Sequence, residues 1–154
     1  MKKGLFLIAI LISNSFNIKA QESVPTINES IMKTIRLIYP QWQGGDIARW
    51  ITEVPNPDDA SRGYYLGAQL LNFLTPNNEQ KTFTVPITTA IAERKVIDGV
   101  LDRDIIIKQS KAALDILNME QPNKIVTLGG ECSVSVVPFT YLANKYKNDV
   151  AMIW

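Results

Sequence analysis

The chain contains no histidine, a single cysteine and no long apolar run, and each lack removes a class of function. Without an imidazole there is no Ser-His-Asp triad, no His acid/base couple and no His-ligated metal site. Cys132 has no second thiol in the chain, so an internal disulfide and a zinc knuckle are both excluded. The apolar stretch Leu5 to Ile12 ends at Ser13, well short of the roughly 20 residues a helix needs to span a bilayer. A dominant charge is lacking too, with 16 Lys and Arg against 15 Asp and Glu and 20% of residues charged. That balance excludes a disordered acidic tail, a polybasic arm and a nucleic-acid binder of the usual electrostatic kind. What is present is 154 residues of 46% apolar composition, enough for one core of ordinary size and hence one domain.

Residues 1–20 have the order of an export signal. Lys2 and Lys3 precede the apolar run, polar Ser13, Asn14, Ser15 and Asn17 follow it, and Ala20 stands before Gln21. The expectation is a protein exported to the periplasm or outside the cell, with a mature start near Gln21; the alternative is a buried amino-terminal strand or helix. Loss of Lys2, Lys3 and Lys19 leaves 13 basic residues against 15 acidic, a net charge of −2. The mature chain therefore has no electrostatic footprint for nucleic acid or an anionic membrane.

From Lys33 onward, short β-branched runs alternate with stretches of helical period. Thr34 to Tyr39, Thr82 to Ile87, Lys124 to Leu128 and Asp149 to Trp154 read as strands. Leu66, Leu70, Phe73 and Leu74 share one helical stripe behind Asp58, Asp59 and Ser61, and Pro76-Asn77-Asn78 ends it. Asp102 is placed to cap a helix from Arg103 to about Asn118 with Ile106, Ala113, Leu114 and Leu117 inside. Val136, Phe139, Thr140, Ala143 and Tyr146 make a further stripe, capped by Ser135, with Pro138 tolerated in the first turn. Strand-helix alternation implies an α/β fold of three layers, a mostly parallel sheet with helices on both faces. A sheet of this kind normally continues beyond the apolar run that closes at Trp154, so residues 21–154 read as the amino-terminal part of a longer α/β domain.

The candidate site is Leu128-Gly129-Gly130-Glu131-Cys132-Ser133, between a strand and a helix, where open α/β sheets place their ligands. The glycines let backbone approach a ligand at a helix start, or they make a plain tight turn. No Lys lies between Leu128 and Asn144 and the dinucleotide glycine spacing is absent, so this is neither a phosphate loop nor a nicotinamide site. Cys132 stands as a reactive thiol or as a small hydrophobe. Glu131 stands as an acceptor that fixes the turn or as a loop charge. Trp42 and Trp50 read as loop packing and Asp58 with Asp59 as helix-start charges, with no site role.

The run Ile125 to Val134, followed by a helix and Val150-Ala151-Met152-Ile153-Trp154, resembles the arginase and agmatinase (ureohydrolase) family. In that family a strand ends in Gly-Gly-Asp-His-Ser and a later strand runs into Asp-Ala-His-x-Asp. Ile35 to Tyr39, Gln43-Gly44-Gly45, Ser61-Arg62-Gly63 and Asp98-Gly99 to Leu117 are similar to the amino-terminal half of such sequences, so the likeness spans Lys33 to Trp154. The resemblance implies an arginase-like three-layer fold and a homo-oligomer. It also implies a manganese pair whose bridging water attacks the carbon of a small guanidino or amidino substrate, expelling urea or a related product. Cys132 stands at the family's His metal ligand and Glu131 where Asp is usual; a thiolate favours softer ions than manganese. The remaining ligands of the family lie in motifs this chain does not contain, so the fragment by itself is expected to be inactive and to bind no metal firmly. The competing reading is a non-catalytic α/β binding domain or pseudoenzyme.

Overall fold

The computed structural model describes residues 32–76, 79–147 and 149–153; the expected export signal lies outside the described residues. Strand β1 (Thr34–Ile38) leads through a 3-10 turn (Gln43–Gly45) and the one-turn helix α1 (Ile47–Trp50) into α2 (Pro57–Leu74) and β2 (Lys81–Thr84). A small hairpin, β3 (Val96–Ile97) and β4 (Val100–Leu101), precedes α3 (Arg103–Glu120) and β5 (Lys124–Leu128). A second 3-10 turn (Cys132–Ser135) then opens α4 (Val136–Lys145). The result is a mixed α/β fold around a parallel sheet of three strands in the order β2-β1-β5. Ile35 stands opposite Lys81 on one side and Ile125 on the other.

Alternation along β1 assigns the helices to its two sides. Ile35, Leu37 and Tyr39 are fully buried in a cluster with Ala113 and Leu117 of α3 and Val137 and Tyr141 of α4. Arg36, pointing the other way, reaches α2 and donates to Asn72 Oδ1 at 3.0 Å and to the carbonyl of Pro76. Of the expected inner residues of α3, Ala113 and Leu117 are fully buried and Leu114 packs against them.

Several elements differ from the sequence expectation, each for a physical reason. The stripe of α2 faces outward, with Leu66, Leu70, Phe73 and Leu74 all more than half exposed. Ala60, Ser61 and Ala68 are buried instead; at Ala68 the backbone of Gly129 comes so close that a Cβ there would lie 2.5 Å from Ala68 Cβ, which leaves room only for a small residue. In α4 the buried face is Val137, Pro138 and Tyr141, while Val136 is exposed. The preceding 3-10 turn shifts where the helix begins and so which residues face inward. Strand β2 stops at Thr84, although Val85 still donates to Ile38, since Pro86 has no N–H with which to extend the ladder. Residues 149–153 form no strand, for no described strand lies beside them to share hydrogen bonds.

Asp102 and Ser135 stand at the cap positions expected of them, but the capping bonds differ. Asn56 accepts from the Asp58 amide with Pro57 at the first helical position, so Asn56 is the cap of α2 and the acids occupy its first turn. Asp102 precedes α3 but its side chain makes no cap bond; it takes Arg94 and the Lys95 amide instead. Ser135 makes no cap bond either.

Candidate functional site at the carboxyl end of β5

The chain leaves β5 through two residues in left-handed backbone, Gly129 at φ 84° and Gly130 at φ 86°, a conformation that costs any other residue strain. At Gly130 an added Cβ would also strike the Tyr39 carbonyl and the Val134 side chain. The turn is thus pressed against the end of β1, and the Glu131 amide donates to the Gln41 carbonyl at 3.0 Å. Close backbone packing explains both glycines.

Glu131 is committed to that turn. Its Oε2 accepts from the Ser133 amide at 2.7 Å and its Oε1 from Gln41 Nε2 at 2.7 Å and from the Ser133 hydroxyl. The carboxylate caps the 3-10 turn and lies so close to Gly44 that a Cβ there would be 2.8 Å from Oε2. Of the two readings left open by the sequence, the acceptor that fixes the turn is the one observed. Cys132, one residue on, is exposed, so it is not a buried hydrophobe.

Below the turn lies a set of buried polar side chains. Gln41 and Gln43 are fully buried and Gln109 nearly so. Gln41 uses all four hydrogen-bonding positions of its amide: Tyr39 OH and Gln109 Nε2 donate to Oε1, and Nε2 donates to Glu131 and Ser133. Gln43 and Gln109 donate to each other, and Gln109 Oε1 also accepts from the Thr88 amide at 2.8 Å. Trp42 is buried as loop packing, its Nε1 donating to the Thr88 carbonyl, and Trp50 is exposed. Arg94 stacks 5.1 Å from the Trp42 ring centre and ties Asp46, Asp102 and the Gln43 carbonyl together. A signal for Gln109 existed: it falls on the stripe of Ile106, Ala113 and Leu117, where a polar residue needs partners. Nothing in the pattern marked Gln41 or Arg94.

Tyr64 closes the site from α2. Its hydroxyl occupies the space that a Cβ on Gly45 would need, and its pKa is raised by burial first and then by Glu131 and Cys132. Tyr39 is raised likewise, by burial against the lowering effect of Ser110, with Glu131 adding to the rise. Both phenols therefore stay protonated, and that of Tyr39 donates to Gln41 Oε1. Between α1, α2 and the glycine turn is an open cavity of about 450 Å³, walled by Ile47, Val54, Ala68 and Leu71, with Asp59 and Tyr64 as its polar side chains.

Gly129, Gly130, Glu131, Cys132 and Ser133 are thus brought to one corner, as expected for the loop. Among the described residues no three Cys, Asp or Glu side chains converge on a point where a metal ion would bind, and both Glu131 oxygens are engaged in holding the turn. These residues do not fit a manganese pair. What they make is a rigid, hydrogen-bonded turn beside an apolar cavity. No family model matches the chain, and no curated protein is detectably similar to it.

Proposed function

We propose that this chain is the amino-terminal part of an arginase-like ureohydrolase in three layers, and that its own residues act as scaffold rather than as catalyst. The observation that supports this most directly is the turn Gly129-Gly130-Glu131-Cys132-Ser133 leaving the carboxyl end of a parallel strand with Cys132 exposed on it. That is the place in an open α/β sheet where ligand-bearing loops lie. In this reading Glu131 keeps the turn and no longer reaches a metal, the manganese chemistry belongs to residues of the parent enzyme, and the substrate is a small guanidino or amidino compound.

The test is to read the coding sequence beyond the Trp154 codon. The expected result is an open frame starting Asp-Ala-His-x-Asp; a stop codon or an unrelated frame overturns the proposal. The purified chain with added manganese is expected to release no urea above a metal-only control. The engagement of both Glu131 oxygens in the turn favours one second reading, a non-catalytic binding domain built around the 450 Å³ cavity.

A further inference from the structure

The hairpin of β3 and β4 turns on two residues between paired Ile97 and Val100, Asp98 at φ 50° and Gly99 at φ 77°, the left-handed pair that so short a loop needs. The same dipeptide has a chemistry of its own, because the backbone nitrogen of a residue can attack the carboxyl of an aspartate before it. A side chain on the attacking residue, a hydrogen-bonded N–H or a rigid surround ordinarily prevents this.

None of the three protects this bond. Gly99 has no side chain, and nothing lies within 4 Å of where one would begin. Its N–H has no acceptor among the described residues. The Asp98 side chain is 77% exposed, and its ion pair with Arg103 is loose at 3.7 Å. The strands on either side have two residues each, too few to be stable by themselves, and Val96 and Val100 are largely in solvent. Opening the tip therefore costs little packing. Other such bonds are shielded. Asn56 precedes Pro57, whose nitrogen bears no hydrogen, and Asp115 and Asn118 lie inside α3, where the following amides are bonded to the preceding turn.

We propose that Asp98-Gly99 is a site of spontaneous backbone isomerisation. The Gly99 nitrogen bonds to the Asp98 carboxyl carbon, its proton and a carboxyl oxygen leave as water, and a five-membered succinimide closes. Water then adds back and breaks either of the two carbonyl–nitrogen bonds. Breaking the original peptide bond leaves the chain running through the side chain as isoaspartate. One water is lost and one regained, so neither mass nor redox state changes.

The product does not fit the hairpin. Its backbone is one methylene longer, so Ile97 and Val100 lose their register. The next pair outward is Lys95 with Asp102, joined through backbone and side chain. Asp102 also takes Arg94, which reaches Asp46 at the start of α1. Isomerisation of the turn thus loosens the clamp that ties the hairpin to α1. This inference does not depend on the ureohydrolase reading, since it uses only the hairpin and its contacts.

The whole chain, incubated folded and in parallel unfolded in urea, tests it. Isoaspartate is read by isoaspartyl methyltransferase labelling and by peptide mapping, in which the isomer separates at unchanged mass. The folded chain is expected to accumulate it at Asp98, at a rate within about tenfold of the unfolded chain, as a cheaply opened segment should. Asp98→Asn, which keeps the turn, should react faster and show the mass change of deamidation, while Asp98→Glu should not label. Amide exchange at Asp102 should be faster in the isomerised fraction. Labelling at Asp98 in urea alone overturns the proposal, as does labelling of the folded chain only at other residues. Unchanged exchange at Asp102 in the isomerised fraction overturns the link to the clamp.

Discussion

The two faces of the sheet are built on different plans. Toward α3 and α4, β1 offers Ile35, Leu37 and Tyr39, and the helices answer with Ala113, Leu117, Val137 and Tyr141, a closed apolar cluster. Toward α2 it offers Arg36, buried, answered by neutral acceptors at Asn72 and Pro76 and with its Nε unpaired among the described residues. The helix on that side turns small residues inward and large ones outward. One face is held by area removed from water, and the other by close approach and a few hydrogen bonds.

The largest effect that would separate the faces is a truncation in the closed cluster. Leu117→Ala removes a fully buried side chain, and a cavity of that kind costs about 2 to 5 kcal/mol. Chemical denaturation should show that loss. A loss within experimental error would mean that the α3 face is no tighter than the α2 face.

The next effect lies where the closed cluster gives way to the polar site. Gln109→Leu keeps the volume but removes two donated and two accepted hydrogen bonds, to Gln41, Gln43 and Thr88. Each buried polar group left without a partner costs about 1 to 3 kcal/mol. We expect a fall in the denaturation midpoint together with faster amide exchange at Thr88. An unchanged midpoint would show that the glutamines are not acting as one network.

This contrast also explains what could be read from the sequence. Strand β5 and the ends of α3 were legible because Lys124 to Leu128 is a β-branched run between turn residues and because Ala113 and Leu117 fall on a clean stripe. The glycine turn was legible because φ values above zero select glycine. On the α2 face periodicity misled, since the strongest stripe of that helix is the one the sheet does not use. What decided the matter was an approach distance between Gly129 and Ala68, which no one-dimensional pattern encodes. The same holds for Gln41 and Gln109, 68 residues apart and joined only by the fold. Nor could the hairpin from Val96 to Leu101 be seen, its two-residue strands being too short to show a period.

Arg36 tests the weaker face. A buried cation answered only by neutral groups carries a desolvation cost that an apolar side chain of similar length does not, and the acceptors it would leave, at half-buried Asn72 and exposed Pro76, can turn to water. Arg36→Met is therefore expected to leave the unfolding free energy unchanged or to raise it by about 1 kcal/mol. Destabilisation on the scale of Leu117→Ala would show that the bonds to Asn72 and Pro76 anchor α2 as strongly as packing anchors α3.

The smallest expected effect concerns the rim of the closed face. Lys33 at the start of β1 donates to Glu120 at the end of α3 at 2.7 Å, and Lys81 at the start of β2 approaches the same carboxylate at 3.8 Å. The hydrogen bond from Lys33 holds the Glu120 carboxyl below its ordinary value of 4.5, with the charges of Lys33 and Lys81 acting in the same direction. A folded-state pKa below the unfolded one means that the unfolded chain binds the proton first. The contribution is then complete above the unfolded value and disappears as pH falls through the lower folded value. The α2 rim has no counterpart, because the Arg36 contacts use carbonyl oxygens that do not titrate in this range. Melting temperatures of the chain and of Glu120→Gln should accordingly differ at neutral pH and converge as pH falls through the lowered folded-state value, below which the carboxylate is protonated in both states. Amides near Lys33 and Asn123 should lose protection in acid before those near Asn72. A difference between the two proteins that stays constant through that range would place the effect of the substitution in packing rather than in charge, and would remove acid sensitivity from the contrast between the faces.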